Sequence, residues 1–193
     1  MQRRMISVVG VVVAAVCLTA VAPATAQEEV PRVLLVGDSW TGFMFGWRVF
    51  RDALDANPET EGFIEMGAKT AVMGSRVFEF HPEYYNYIEP TLTELVENPT
   101  LDTVLITLGG NDFMRGTTRV DPNDPDREIE ATDFIKHPES IPEGVTMDTL
   151  IQVIVDDIEY VIDSILAIRP DIRVIICGYT YGGRDEEIDG YPV

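Results

Sequence analysis

The sequence predicts an α/β fold in which helices connect the strands of a mostly parallel sheet. Three observations predict this fold. Short apolar runs begin at Val33, Thr103 and Ile172, helical patterns separate them, and loops containing Gly, Ser and Asn follow the first two runs. Because strands joined through helices pair in parallel with right-handed crossovers, this alternation favours a single sheet covered by helices.

The amino terminus, residues 1–26, has the three parts of a secretory signal peptide. A basic pair at residues 3–4 precedes an apolar core over residues 5–22, and a small-residue cleavage site follows Pro23. A membrane anchor is the alternative, since the core approaches the roughly 17 residues that span a bilayer. The proline and the cleavage site favour removal of the segment. The sequence therefore predicts a secreted or periplasmic protein without stable membrane insertion.

The rest of the chain, residues 27–193, has a length typical of one domain. The whole chain has 33 acidic and 14 basic residues, a formal net charge of −19. Such a charge disfavours binding to nucleic acid and to anionic membranes. Cys177 is the one cysteine that follows the predicted cleavage site, so we expect no intrachain disulfide in the mature protein.

Four elements are predicted in the first half of the domain. Residues 33–36 are the first strand, because four apolar residues stop abruptly at a Gly-Asp-Ser sequence. Residues 43–57 have apolar positions at helical spacing and end before a proline. Residues 63–71 are a less regular strand, and residues 76–80 form one or two helical turns.

The second half continues the alternation. Residues 88–96 are a predicted helix and residues 103–108 a nearly continuous apolar strand. The acidic, proline-containing stretch around 115–146 is predicted to be a long surface excursion, either a functional loop or a disordered one. Apolar residues on one stripe predict a helix over residues 147–168, and residues 172–177 form the last predicted strand.

Polar and glycine residues that suit a reactive serine follow the predicted strands. Ser39 lies where the first strand gives way to a helix, and Asn111 follows the strand at 103–108. Gly74 has no side chain, so its N–H group allows a close approach. Ligands bind at the carboxyl edge of a parallel sheet, and a serine nucleophile needs a base and oxyanion donors. These three residues are therefore the candidate site.

The same residues resemble the SGNH or GDSL superfamily of serine esterases and lipases. Residues 37–40, Gly-Asp-Ser-Trp, match the first block with Trp in place of the usual Leu, and residues 109–112, Gly-Gly-Asn-Asp, match the third. Gly74 is the best match to the glycine of the second block, with Gly67 as the alternative. The resemblance implies a three-layer α/β/α fold with a flavodoxin-like sheet. It also implies an ester hydrolase with Ser39 as nucleophile and an oxyanion hole from Ser39, Gly74 and Asn111.

The sequence departs from the family at the general base. The family has its histidine in an Asp-x-x-His block near the carboxyl end, and neither histidine of this chain matches that block. His81 precedes a proline upstream of the third block, and His137 lies in the acidic excursion. We therefore expect that the domain is incomplete at the C-terminus and that the chain has little or no activity. An oxyanion hole alone leaves about 10³- to 10⁴-fold acceleration over water.

Two other functions stay open. A non-catalytic pseudo-hydrolase would keep the pocket without the base. A flavodoxin-like nucleotide binder is disfavoured, because no glycine-rich phosphate fingerprint follows the first strand. We predict no cofactor and no metal: His and Cys lack ligand spacing, and the acidic run over residues 121–130 lacks the glycine of an EF-hand. The predicted partner is a small-molecule, carbohydrate or lipid ester.

Aromatic residues are frequent near the candidate serine. We expect most of them to belong to the core. If some line the substrate pocket instead, an apolar acyl group or the face of a sugar would suit them. The residues concerned are Trp40, Phe43, Phe45, Trp47 and Phe113.

Overall fold

The computed structural model describes residues 29–178. The predicted signal peptide and the last fifteen residues lie outside this range. In chain order the described elements are β1 (Val30–Gly37), α1 (Ser39–Gly46), α2 (Val49–Asp55), β2 (Phe63–Met66), a 3-10 turn (Val77–Phe80), α3 (Ile88–Glu97), β3 (Thr103–Thr107), α4 (Gly110–Arg115), α5 (Asp133–Lys136), a second 3-10 turn (Pro138–Ser140), α6 (Met147–Ile168) and β4 (Arg173–Ile176).

The four strands form one parallel sheet in the order β2-β1-β3-β4. This confirms the predicted α/β class and its parallel sheet. This is the order of the first four strands of a flavodoxin-like sheet. The chain adds β2 on one side of β1 and then crosses to the other side to add β3, so the order of the strands reverses between β1 and β3. The carboxyl ends of β1 and β3 therefore meet at the switch point, where Gly37 pairs with Thr107.

Alternating residues of β1 point to opposite faces of the sheet, as the period of two requires. Leu34 and Val36 pack into the large core that α3 and α6 cover. Val33 and Leu35 pack on the other face with partly buried residues of α1 and α2 such as Phe45. Helices thus lie on both faces of the described sheet, and β1 is buried between the two layers.

The predicted helix over residues 43–57 is two helices. The first begins earlier, at Ser39, because the Asp38 carboxylate caps it and accepts from the Trp40 N–H over 3.0 Å. The break falls at Arg48, which has a left-handed φ of 58°. The second predicted strand is likewise shorter than expected, since β2 ends at Met66 before the buried Gly67.

The excursion around 115–146 is less exposed than we predicted. Val120, Ile129, Ala131 and Val145 are buried in the large core. A short antiparallel bridge joins Thr117 to Ile129. These apolar residues are spaced too irregularly to give a helical or strand pattern. The sequence therefore predicts a loop, although the segment contributes buried side chains to the large core.

Candidate active site

Ser39 is the first residue of α1, and only the capping residue Asp38 separates it from the end of β1 at Gly37. Its N–H group has no acceptor within the helix, because the first turn of any helix leaves its N–H groups unpaired. The side chain is partly exposed. The sharp exit from the strand depends on Gly37, which has a φ of +149° and would place a Cβ only 2.2 Å from the carbonyl oxygen of Thr107.

Asn111 lies in the first turn of α4, just beyond the end of β3. Its Nδ2 donates to the backbone carbonyl of Ser75 over 2.9 Å and to Asp38 Oδ2 over 3.2 Å. Asp38 precedes Ser39 and Ser75 follows Gly74, so this one amide bridges the two other candidate segments. The structure therefore brings the segments of Ser39, Gly74 and Asn111 together.

Gly74 lies in a turn with a φ of +75°, a conformation that favours glycine. Its carbonyl oxygen accepts from Arg115 Nη1 over 2.9 Å. Gly67, the alternative, lies at the end of β2, where a Cβ would come within 3.2 Å of the Phe45 ring and 3.3 Å of Leu35. Gly67 thus has a packing reason to be glycine, whereas Gly74 precedes Ser75, whose carbonyl accepts from the Asn111 amide.

Asp112 ties α4 to the turn that follows Gly74. Its carboxylate is fully buried and accepts from the Val77 N–H, at 3.0 Å to one oxygen and 2.8 Å to the other. Burial raises the pKa of Asp112 to about 6, against the lowering effects of this N–H group and of Arg76. This contact of Asp112 could not be predicted from the sequence, because its partner in the turn, Val77, is 35 residues away.

His81 lies in a separate buried cluster. Its ring stacks on Tyr160 with centroids 3.8 Å apart. Its Nε2 lies 2.9 Å from Asp157 Oδ1, although without the alignment of a hydrogen bond, and Arg119 also pairs with Asp157. Burial, followed by the Arg119 charge, lowers the pKa of His81. His81 therefore belongs to a packed charged cluster of the fold.

His137 is exposed on the excursion, with Nδ1 3.7 Å from Glu139 Oε1. Among residues 29–178, none of the hydrogen bonds, ion pairs or ring contacts of either histidine involves Ser39. The same residues hold no group of three or more His, Cys, Asp and Glu side chains placed to bind a metal ion.

The aromatic residues near Ser39 are mostly outside the core, contrary to our expectation. Phe45 is partly buried against β1, but the other four are exposed. The prediction was wrong because the buried cluster on this face of the sheet is small. It contains Val33, Leu35 and Leu105, and α1 has more apolar side chains than this cluster can bury. The exposed residues are Trp40, Phe43, Trp47 and Phe113.

Two surface grooves lie away from the candidate serine. One, of about 460 Å³, runs between α3 and Tyr160, and the other, of about 530 Å³, lies beside β2 and Lys69. Neither is lined by Ser39. In the part of the chain that the structure covers, no helix is long and apolar enough to span a membrane.

Comparisons with known proteins give weak likenesses. No protein-family model matches the chain, and no curated protein matches it. A possible lipase from Chitinophaga pinensis DSM 2588 is similar in structure at 12% identity and a TM-score of 0.37, over 75% of this chain and 47% of that one. A carbohydrate esterase family 3 structure from Talaromyces cellulolyticus gives 14% and 0.35, over 76% of this chain and 61% of that one.

The chain thus spans about half to three-fifths of the length of these two structures. At TM-scores below 0.5 the likenesses identify neither a family nor an activity. Any functional conclusion must come from the chemistry of the candidate site itself.

Proposed function

We propose that this protein is an exported serine ester hydrolase, in which Ser39 is the nucleophile. The observation that carries the proposal is the double hydrogen bond of Asn111 to Asp38 and Ser75. It supports a site in which a serine at a helix start, a glycine turn and a side-chain amide face one substrate oxygen. Export follows from the predicted signal peptide alone.

In the proposed reaction the Ser39 Oγ attacks the ester carbonyl carbon and loses its proton to a base. The carbonyl π electrons move to the oxygen, which accepts from the N–H groups of Ser39 and Gly74 and from Asn111 Nδ2. The intermediate then collapses, the bond from the carbonyl carbon to the alkoxide oxygen breaks, and the protonated base gives its proton to that oxygen, so that the alcohol leaves and an acyl-Ser39 ester remains. Water attacks this ester while the base takes its proton, and the proton passes to Ser39 Oγ as the acid is released. Each donor of this kind is worth about 10²- to 10³-fold in rate.

Two features set the expected rate low. The Asn111 amide has two N–H groups, and Ser75 and Asp38 already accept from them, so the substrate oxygen must replace the longer, 3.2 Å bond to Asp38. The two histidines of the sequence have their contacts elsewhere. The same two features favour the second candidate function, a pseudo-hydrolase that binds an ester without cleaving it.

Hydrolysis of p-nitrophenyl acetate with added imidazole separates the two functions. Imidazole supplies a base in solution, so we expect it to raise the rate of the wild-type chain well above that of Ser39→Ala. Ser140→Ala is the matched control, because Ser140 is exposed on the excursion. Equal rates for all three chains, with and without imidazole, would leave only the pseudo-hydrolase.

A further inference from the structure

The groove between α3 and α6 has a volume of about 460 Å³, and Ser39 does not line it. Along α3 its lining extends from Ile88, the first residue of the helix, to Glu97, the last. A helix of ten residues is about 15 Å long. The groove is therefore elongated, and its shape fits a segment of polypeptide better than a compact small molecule.

The floor of this groove is apolar. Leu92 and Tyr160 are partly buried there, and Val96 is 66% exposed. The ring of Tyr160 is held in place, because it stacks on the buried His81 with centroids 3.8 Å apart. A partner that covers these side chains removes apolar surface from water, and this favours binding.

The two segments that form the groove have acidic charges and no basic ones. Residues 82–98 and 147–168 contain nine acids and no lysine or arginine. By contrast, residues 39–55, which form α1 and α2, contain two acids and two arginines. The negative charge of the chain is therefore concentrated on the face that carries the groove.

Most of these acids are free to meet a cation from outside. Glu94 and Asp157 are buried and pair with Lys69 and Arg119. The other seven are exposed, and in the part of the chain that the structure describes none of them pairs with a lysine or arginine. A cationic partner would therefore find carboxylates that no internal base neutralises.

The acids lie along both sides of the apolar floor. On α3, Glu89 and Glu97 line the groove, and Asn86 Nδ2 holds Glu89 by donating to its Oε2 over 2.8 Å. On α6, Asp156 and Asp163 come four residues before and three residues after Tyr160, a spacing that places them on the same face of the helix as its ring.

We propose that this groove binds a basic amphipathic segment of a partner protein. Apolar side chains of the segment contact the floor, and its lysines or arginines pair with the acids on both sides, as in other complexes where a helix lies in a groove. A second copy of this chain is disfavoured, because two such acidic faces repel each other. The carboxyl-terminal residues 179–193 contain four acids and one base, so the same repulsion disfavours them as the occupant.

A fluorescein-labelled peptide of leucine and lysine, with leucine on one face of its helix and lysine on the other, is the probe. We expect its fluorescence anisotropy to rise when the full wild-type chain is added. Added salt should weaken the binding, because exposed ion pairs are screened. A peptide with serine in place of every leucine carries the same charge and should bind about tenfold more weakly, because it cannot cover the apolar floor.

Charge-matched double variants locate the binding. Glu89→Gln with Glu97→Gln keeps the size of both side chains and should weaken peptide binding about tenfold, because two ion pairs are lost. Asp124→Asn with Asp126→Asn removes the same charge from exposed positions of the excursion and should leave the affinity within about twofold of the wild type.

A second pair of variants tests the apolar floor. Val96→Ser should weaken binding about fivefold, whereas Ile135→Ser removes a side chain that is 79% exposed on α5 and should have no effect. Circular dichroism checks the folding of every variant, and Glu97→Gln alone serves if its double variant fails to fold.

Four results would overturn the proposal. They are no binding to the wild-type chain, equal weakening by the two acid-to-amide pairs, equal binding of the leucine and serine peptides, and a dimer of the chain that Val96→Ser dissociates. Ser39→Ala should bind the peptide like the wild type, because Ser39 does not line the groove. The ester hydrolase and this docking surface can therefore fail separately.

Discussion

The side-chain amide of Asn111 donates to the backbone carbonyl of Ser75 over 2.9 Å. This bond joins the first turn of α4 to the glycine turn of residue 74. The Asp112 carboxylate and the Arg115 guanidinium hold the same turn at Val77 and Gly74. Three residues of one short helix therefore fix the position of the proposed oxyanion donors relative to Ser39.

Removing the Asn111 amide should lower the reactivity of Ser39 more than it lowers stability. For Asn111→Ala we expect labelling of Ser39 by a fluorophosphonate probe to slow by about 10²-fold, because an oxyanion donor is lost. The free energy of unfolding should fall by about 1 kcal/mol. Asn123→Ala, in the exposed excursion, is the control. A labelling rate like that of the wild type would exclude Asn111 as a donor.

The two candidate glycines should respond differently to alanine. Gly74→Ala strains a turn with φ of +75° and should slow Ser39 labelling, with a loss of about 1–2 kcal/mol in unfolding free energy. Gly67→Ala crowds Phe45 and Leu35 and should cost about 1–3 kcal/mol without slowing the labelling of folded protein. The opposite pattern would make Gly67 the oxyanion glycine.

The buried Asp112 should make stability depend on pH. Its folded pKa of about 6 is above the ordinary value of 3.8, so its favourable contribution is complete below pH 3.8 and lost as pH rises through 6. The difference between an ordinary pKa of 3.8 and a folded pKa of about 6 corresponds to about 3 kcal/mol in unfolding free energy. Asp112→Asn removes this titration.

Urea unfolding of both chains between pH 3.5 and 7.5 measures this effect. The unfolding free energy of Asp112→Asn minus that of the wild type should increase with pH, by up to about 3 kcal/mol. A difference that stays constant across this range, or decreases, would contradict a raised pKa at Asp112.

The buried cluster of His81, Arg119 and Asp157 should matter for stability alone. Asp157→Ala leaves Arg119 without its buried partner and should cost about 3–5 kcal/mol. Asp156→Ala, next to it on the exposed side of α6, should change stability by less than about 0.5 kcal/mol.

His81→Gln tests whether the histidine of the same cluster affects the reactivity of Ser39. We expect the labelling of Ser39 in folded protein to stay at the wild-type rate, since His81 contacts Asp157 and Tyr160. A selective loss of labelling, with folding intact by circular dichroism, would instead identify His81 as the base.

Much of the fold follows from local pattern. The helix over residues 147–168 was predicted with the bounds that it has, because its apolar residues recur at helical spacing. The strands at residues 33–36 and 103–108 are predicted as buried runs. The first, β1, begins three residues earlier and ends one residue later than predicted, and β3 ends one residue earlier. Strand ends depend on pairing partners, which the local sequence does not contain.

What could not be predicted depends on distant partners. Asp157 occupies a buried position on α6 that the pattern alone assigns to an apolar residue, and its partners Arg119 and His81 come from other segments. Ile151, by contrast, lies on the predicted stripe and is exposed. The Ser39, Gly74 and Asn111 segments were predicted to converge because the ends of parallel strands share one edge of a sheet.

The reactivity of Ser39 tests the central claim most directly. Purified chain is treated with a fluorophosphonate probe, with imidazole present, and the modified residue is located by mass spectrometry of peptides. We expect one adduct, on Ser39, that Ser39→Ala loses and Ser140→Ala keeps. An adduct spread over several serines, or none on Ser39 in folded protein, would contradict a nucleophilic serine at this site.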